Sequence, residues 1–319
     1  MAIYPKPYKD IQDLLALLQQ RGMQVADPVK AARCLERIGY YRLSGYWHPM
    51  RKSHVGADGA TVVEQDFRAG TEFSQVADLY VFDKRLRLLF LDAIERVEIG
   101  LKVQIAQILG RRDPLGYLNP VELHGNFSRK TGKGATEHEK WVASYRRNES
   151  RSREDFVAPF LKNHPGHEFP EWMAIEFWDL GNLSYFLPGM KVQDRAALAS
   201  SFSIPREELL VSWIRGIHGV RNTCAHHSRL WNRPLVQNPK PPKHGEDAVL
   251  DHLAAHTHAH TRIYSVAVAL QFLMRTMHPG SEWSARLKSL TATFPAGPNL
   301  QFNQGTGFPH NWQNLPLWN

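Results

Sequence analysis

The chain has 319 residues, 43% of them aliphatic or aromatic, which excludes a disordered polypeptide and allows a sizeable core in one or two domains. Two cysteines, Cys34 and Cys224, exclude a disulfide framework and a thiolate zinc site. Lysine and arginine outnumber aspartate and glutamate by 39 to 31, a net charge of +8 that suits a polyanionic partner such as RNA or DNA.

Helical periodicity dominates the chain. The N-terminus has no apolar signal core and no run of about 18 apolar residues follows, so a soluble, cytoplasmic protein without a membrane span is expected. Residues 8–21 set Ile11, Leu14, Leu15 and Leu18 on one stripe, ended by Gly22. Asp27 and Pro28 read as the N-cap and first residue of a helix reaching about Ile38. The aromatic run YYRLSGYWHP follows, and residues 51–70 form either a small hairpin or a loop. Leu79, Phe82, Leu86, Phe90, Ala93, Val97, Leu101 and Ile108 then mark a helix from Phe73 to Leu109, closed by Gly110. HGNFSRKTGKGATEHEK is an exposed loop that lacks the spacing of a phosphate-binding Walker loop. Shorter helices are predicted over 136–149, 152–163, 170–187 (broken near Gly181) and 193–201, and a strong one from Pro205 to His226. A proline-rich link precedes a helix over 246–277, and one more lies within 279–290. The organisation predicted is all-α: an N-terminal helical region (1–70), a helical core (71–294) and an irregular, aromatic tail (295–319).

The segment RNTCAHHSRLWNR, residues 221–233, carries the chemistry. At about 100° per residue, Leu210, Trp213, Ile217, Val220 and Cys224 form the buried stripe, and Arg215, His218, Asn222, His226 and Arg229 form a polar face opposite. Arg221 sits on the shoulder of the buried stripe, about 140° from His226, where a long side chain can still reach the polar edge. An arginine and a histidine so placed supply a phosphate clamp and a proton carrier without metal. Arg229 and Arg233 extend the phosphate-binding capacity beyond the helix end. The bland alternative is a solvated basic face. Asp83 falls within an apolar stripe, so a contact from Asp83 or Glu98 to Arg221 is predicted, unless Asp83 merely caps a later helix start. His252, His256 and His260 stand one turn apart, but only Asp251 could complete a metal site, so an exposed or RNA-facing surface is the preferred reading and no cofactor is expected. Arg42 and His48 have similar spacing to the motif, yet Leu43 follows the arginine, and this pair reads as packing.

Five blocks, KPYKDIQDLLALLQQRGM, ERIGYYRLSGYWHPMR, LYVFDKRLRLLFLDAIERVEIGLK, WMAIEFWDLGNLSYF and IRGIHGVRNTCAHHSRLWNR, follow one another as in the Abi family of bacterial abortive-infection proteins, of the AbiD and AbiF type. The chain resembles that family over roughly residues 5–275. The resemblance implies a HEPN-like helical bundle and a ribonuclease motif of arginine, polar residue and histidine, here Arg221, Asn222 and His226, with His227 fitting the spacing as well. It further implies RNA cleavage in phage defence or a toxin–antitoxin pair, held in check by a small RNA or another antitoxin. One motif per chain suggests a homodimer in which two copies frame one phosphate. Arg215, His218, His227, Arg229 and Arg233 would hold the RNA. The competing readings are a non-catalytic module that binds a small regulatory RNA, and a scaffold for another defence protein supported by the aromatic tail.

Overall fold

The first two helices begin where acidic caps stand in the sequence. In the computed structural model, which describes residues 7–130 and 134–319, the Asp10 carboxylate accepts the Asp13 N–H at 2.8 Å and that of Asp27 accepts the Lys30 N–H at 2.9 Å. These caps start α1 (Ile11–Gln20) and α2 (Pro28–Ile38). Gly22 ends α1 at φ +91°, letting the Met23 N–H reach back to the Leu18 carbonyl at 3.0 Å. The extreme N-terminus (1–6) and the centre of the glycine-rich loop (131–133), both read above from sequence, lie outside the described residues.

The aromatic run forms α3 (Tyr40–Trp47), and the next segment is a hairpin of antiparallel strands β1 (Arg51–Val55) and β2 (Thr61–Phe67), with a bulge between Arg51 and Ser53. The fold is therefore mainly α and not purely so. α4 (Phe73–Gly110) takes in Gly110 as its last residue. Its 38 residues form the axle of the molecule, with α3, α10, α11, α14 and α15 packed around it. Every stripe position from Leu79 to Leu101 is buried on this axle, and Leu89, Ile94 and Ile105 join them because neighbours cover more than one face.

Shorter helices follow: α5 (Gly125–Ser128), α6 (Glu137–Arg151), α7 (Val157–Asn163), α8 (Glu171–Ala174), α9 (Leu180–Phe186), α10 (Val192–Ser201) and α11 (Glu207–Ala225). The break expected near Gly181 falls instead at Trp178 and Asp179. Asp179 is extended and caps α9, accepting the Asn182 N–H at 2.7 Å, so Gly181 lies inside a helix. The single helix expected over 246–277 is three: α12 (His252–Ala255), α13 (Thr257–His260) and α14 (Ile263–Met277). Thr261 gives its carbonyl to the Leu235 N–H at 2.9 Å, and Arg262 is extended, which stops one helix and starts the next. The imidazoles consequently do not stack: His252 bonds Val249 and Tyr264, and His260 bonds the Leu253 carbonyl.

α15 (Trp283–Thr291) and α16 (Phe302–Thr306) complete the chain. The tail is short-range in structure but packed: Phe308, Trp312 and Trp318 are buried against Tyr264 and Trp283, within one core that runs from Leu15 to Trp318. No helix among the described residues is long and apolar enough to cross a membrane.

One core group is out of keeping with its surroundings. Glu171, at the start of α8, is fully buried, and neither carboxylate oxygen has a hydrogen-bond partner of good geometry. Burial holds its pKa well above the ordinary glutamate value, against a weaker opposing pull from the Tyr117 backbone N–H. The unfolded chain loses this proton above about pH 4.5, whereas the folded protein keeps it, so stability falls as pH rises through that value and beyond. Replacing Glu171 with Gln is expected to raise the melting temperature at pH 7.5 and to make no difference near pH 4. Scanning calorimetry at the two pH values checks this; a loss at pH 7.5 would show that the carboxyl is ionised and paired.

Candidate functional site

α11 places its apolar stripe, Leu210, Trp213, Ile217, Val220 and Cys224, at 0–1% exposure against α4 and α14. Arg215 projects into solvent, while His218, Arg221 and Asn222 are half-buried along the helix shoulder. Arg221 donates to Asn222 Oδ1 at 3.4 Å, and Asn222 Nδ2 faces His218 Nε2 at 3.0 Å. These two contacts fix the amide and the imidazole together. A guanidinium only donates, so the oxygen of Asn222 must face it and the NH2 must face His218. His218 Nε2 therefore accepts, and the ring is neutral with its proton on Nδ1. Its pKa is lowered chiefly by burial, with the Arg221 charge adding and Asp179 opposing.

The helix stops at Ala225 with a Schellman turn. The His227 N–H bonds the Cys224 carbonyl and the Ser228 N–H bonds the Thr223 carbonyl, both at 3.0 Å. His227 occupies the left-handed position at φ +55°, where glycine is the usual residue. Arg42 of α3 clamps the turn, donating to the His227 carbonyl at 2.8 Å. His226, the C-cap, is exposed and makes no side-chain hydrogen bond among the described residues.

The helix ends within one residue of the expected His226, and this turn corrects the polar face, which helical geometry had carried past that end to Arg229. Arg229 lies past the helix, so it does not continue the line of Arg215, His218, Asn222 and His226. It turns instead toward α3, where its guanidinium donates to the Gly45 carbonyl. A Cβ on residue 45 would stand 2.6 Å from Arg229 Nη1, so a side chain there would push the guanidinium out of its present place. Arg233 is exposed, and its side chain has no partner among the described residues.

The carboxylate expected beside Arg221 is elsewhere. Asp83 is fully buried and accepts from Tyr46 Oη at 2.7 Å, from Arg87 one turn along α4, and from the backbone N–H groups of Leu230 (3.1 Å) and Trp231 (2.7 Å). Its charged partner is thus Arg87, four residues on along the same helix, and not Arg221; the chain following α11 folds back over α4 and adds its N–H groups there. Tyr46 stays a phenol: burial and the Asp83 carboxylate both push its pKa up. Glu98 is nearer the expectation. Burial raises its pKa, while the charges of Lys102 and Arg221 pull it down, but the pair forms no contact within salt-bridge distance. Sequence reasoning missed Tyr46 and Asp179, noted Arg87 only as a neighbour of Asp83, and set Arg42 aside as packing. The available hints were the four-residue spacing of Asp83 and Arg87 and an arginine amid the aromatics of α3.

A family model described as Abi-like protein matches residues 33–232, more than half of the chain. No curated protein and no solved structure matches it.

Removing the Asp83 carboxylate leaves Arg87 buried without its counter-charge and frees two backbone donors. Asp83→Ala should therefore cost about 3–5 kcal/mol in denaturant unfolding, and amide exchange at Leu230 and Trp231 should rise. His227→Gly should do the opposite, gaining about 1 kcal/mol by relieving the left-handed backbone. Unchanged exchange at residues 230 and 231 in the Asp83 variant would refute the anchoring role.

Proposed function

The chain belongs to the Abi-like family, whose description points to abortive infection and phage defence, and from that premise we propose that it is a metal-independent endoribonuclease of HEPN type, related to the AbiD and AbiF proteins. The observation that carries the reading is the linked trio of Arg221, Asn222 and His218, one turn before an exposed, unpartnered His226.

In this reading RNA supplies its own nucleophile, the 2′-hydroxyl. His226 takes or gives the proton, and Arg221 neutralises charge building on the phosphorane oxygens. Asn222 holds the Arg221 guanidinium and the neutral His218 in register. The products are a 2′,3′-cyclic phosphate and a 5′-hydroxyl. Arg215, Arg229 and Arg233, with His218 and His227, supply phosphate contacts that carry little base information. Each chain brings one proton carrier where cleavage wants an acid and a base, so two copies meeting at the ends of α11 form the working enzyme. A small RNA or another antitoxin restrains it in the cytoplasm. A module that only binds a regulatory RNA is the second reading. It is favoured by the arginines at residues 42, 229 and 233, which no carboxylate pairs with among the described residues.

Two measurements decide between them. His226→Ala should lower cleavage of a model RNA by about 10²–10⁴-fold with little change in RNA affinity, Arg221→Ala should weaken both, and EDTA should have no effect. Full cleavage by His226→Ala, with loss in His227→Ala, would move the role to the neighbouring histidine; no cleavage by the wild type, with RNA still bound, would leave the binding reading. Light scattering at micromolar concentration should give a dimer, and a monomer with full activity would remove the two-copy arrangement.

A further inference from the structure

Between α3 and the turn after α11 lies a cavity of 490 Å³ lined by Arg42, Tyr46, His227, Ser228, Arg229 and Arg233. No carboxylate lines it. The nearest acid, Asp83, is fully buried and already saturated by Tyr46, Arg87 and two backbone N–H groups. The three lining arginines are only partly used. Arg42 spends one nitrogen on the His227 carbonyl and Arg229 one on the Gly45 carbonyl, which leaves the buried Nε of Arg229 without a partner. Arg233 has no side-chain partner among the described residues.

Such an arrangement is costly as it stands. Burial lowers the pKa of Arg229 and the neighbouring Arg233 charge adds to this, against the opposing pull of Tyr46 and the Asp83 carboxylate. Like charges held together and partly desolvated favour a bound anion. The charge of that anion follows from the count of guanidinium groups. A phosphodiester inside an RNA chain carries one negative charge, whereas a terminal phosphate carries about −1.5 to −2 at pH 7 and offers three acceptor oxygens. Three guanidinium groups lining one cavity match the charge of the latter.

We propose that this cavity binds a phosphomonoester, the terminal phosphate of an RNA end or of a free nucleotide. Only the RNA source rests on the nucleic-acid reading above. The site differs in chemistry from the scissile phosphate: it recognises an end group, while His226, which is not among its lining residues, addresses an internal bond. An RNA held by its end would fix how far along the strand the proton carrier meets the backbone.

The test uses short 2′-O-methyl oligoribonucleotides, which lack the nucleophile and so report binding without cleavage. Three forms are compared by fluorescence anisotropy: unphosphorylated, 5′-phosphorylated and 3′-phosphorylated. AMP is tested separately by thermal shift. The expected result is that one phosphorylated end tightens binding about tenfold, the scale of a charge-assisted bidentate contact. That preference should vanish in Arg233→Ala, an exposed position whose loss leaves the fold intact, and fall in Arg42→Lys, which retains the charge but not the fork. If the oligonucleotides bind alike while AMP raises the melting temperature of the wild type and not of Arg233→Ala, the source is a free nucleotide. Equal binding of all oligonucleotides with no AMP shift overturns the site, as does a preference that survives Arg233→Ala. RNA cleavage with no terminal-phosphate preference would sink this site and leave the ribonuclease proposal untouched; the reverse result would do the opposite.

Discussion

The carboxylate of Asp83 is the point on which the arrangement of the site depends. Buried on the central helix α4, it gathers the Tyr46 phenol from α3, the Arg87 guanidinium from its own helix and two backbone N–H groups from the segment after α11. Each donor satisfies a charge that could not otherwise remain in the core. Because the bonds reach three separate stretches of chain, they also fix where those stretches lie. The segment from Ser228 to Trp231 is led across α4, and α3 is brought beside the end of α11.

From that constraint the shape of the helix end follows. Chain that must turn at once toward Asp83 cannot continue α11, so the helix closes at Ala225 in a Schellman turn with His227 in a left-handed backbone. The turn separates two groups of residues. On the helix side, Arg221, Asn222 and His218 are linked along the shoulder and face Glu98 and Asp179. On the far side, Arg42, Arg229 and Arg233 surround a cavity with no acid in it. His226 and His227 stand at the divide, both with exposed rings that have no hydrogen-bond partner among the described residues, and the backbone carbonyl of His227 is held by Arg42.

Three of the sequence blocks that carry the family resemblance, YYRLSGYWHP, LYVFDKRLR and SRLWNR, meet at this one carboxylate. Their shared importance is thus first structural, since a motif histidine at a helix end is useful only if the end is held still. The same economy explains Gly45, whose missing side chain makes room for the Arg229 guanidinium. It also explains why an arginine in an aromatic helix, easily read as packing, has a directed role.

What the sequence by itself determined is a set of features governed by near neighbours. Asp10, Asp27 and Pro28 announced their helix starts because a cap bonds N–H groups within its own first turn. The stripes of α4 and α11 were legible because burial repeats with the helical period. Asp83 and Arg87 pair at a local i,i+4 spacing, but tertiary structure alone decided which other donors that carboxylate gathers. Asp83 lies 147 residues from Leu230, whose N–H it accepts, and no periodicity encodes such a pairing. A helical wheel extended past Ala225 put Arg229 on the wrong face, because the wheel assumes a helix that a distant carboxylate ended. The three-part helix from His252 to Met277 has the same origin, since Leu235, from another segment, claims the Thr261 carbonyl. Local patterns set which elements form; at the ends of α11 and α13 long-range hydrogen bonds and buried charge decide the stop, and the candidate functional residues stand at the first of these.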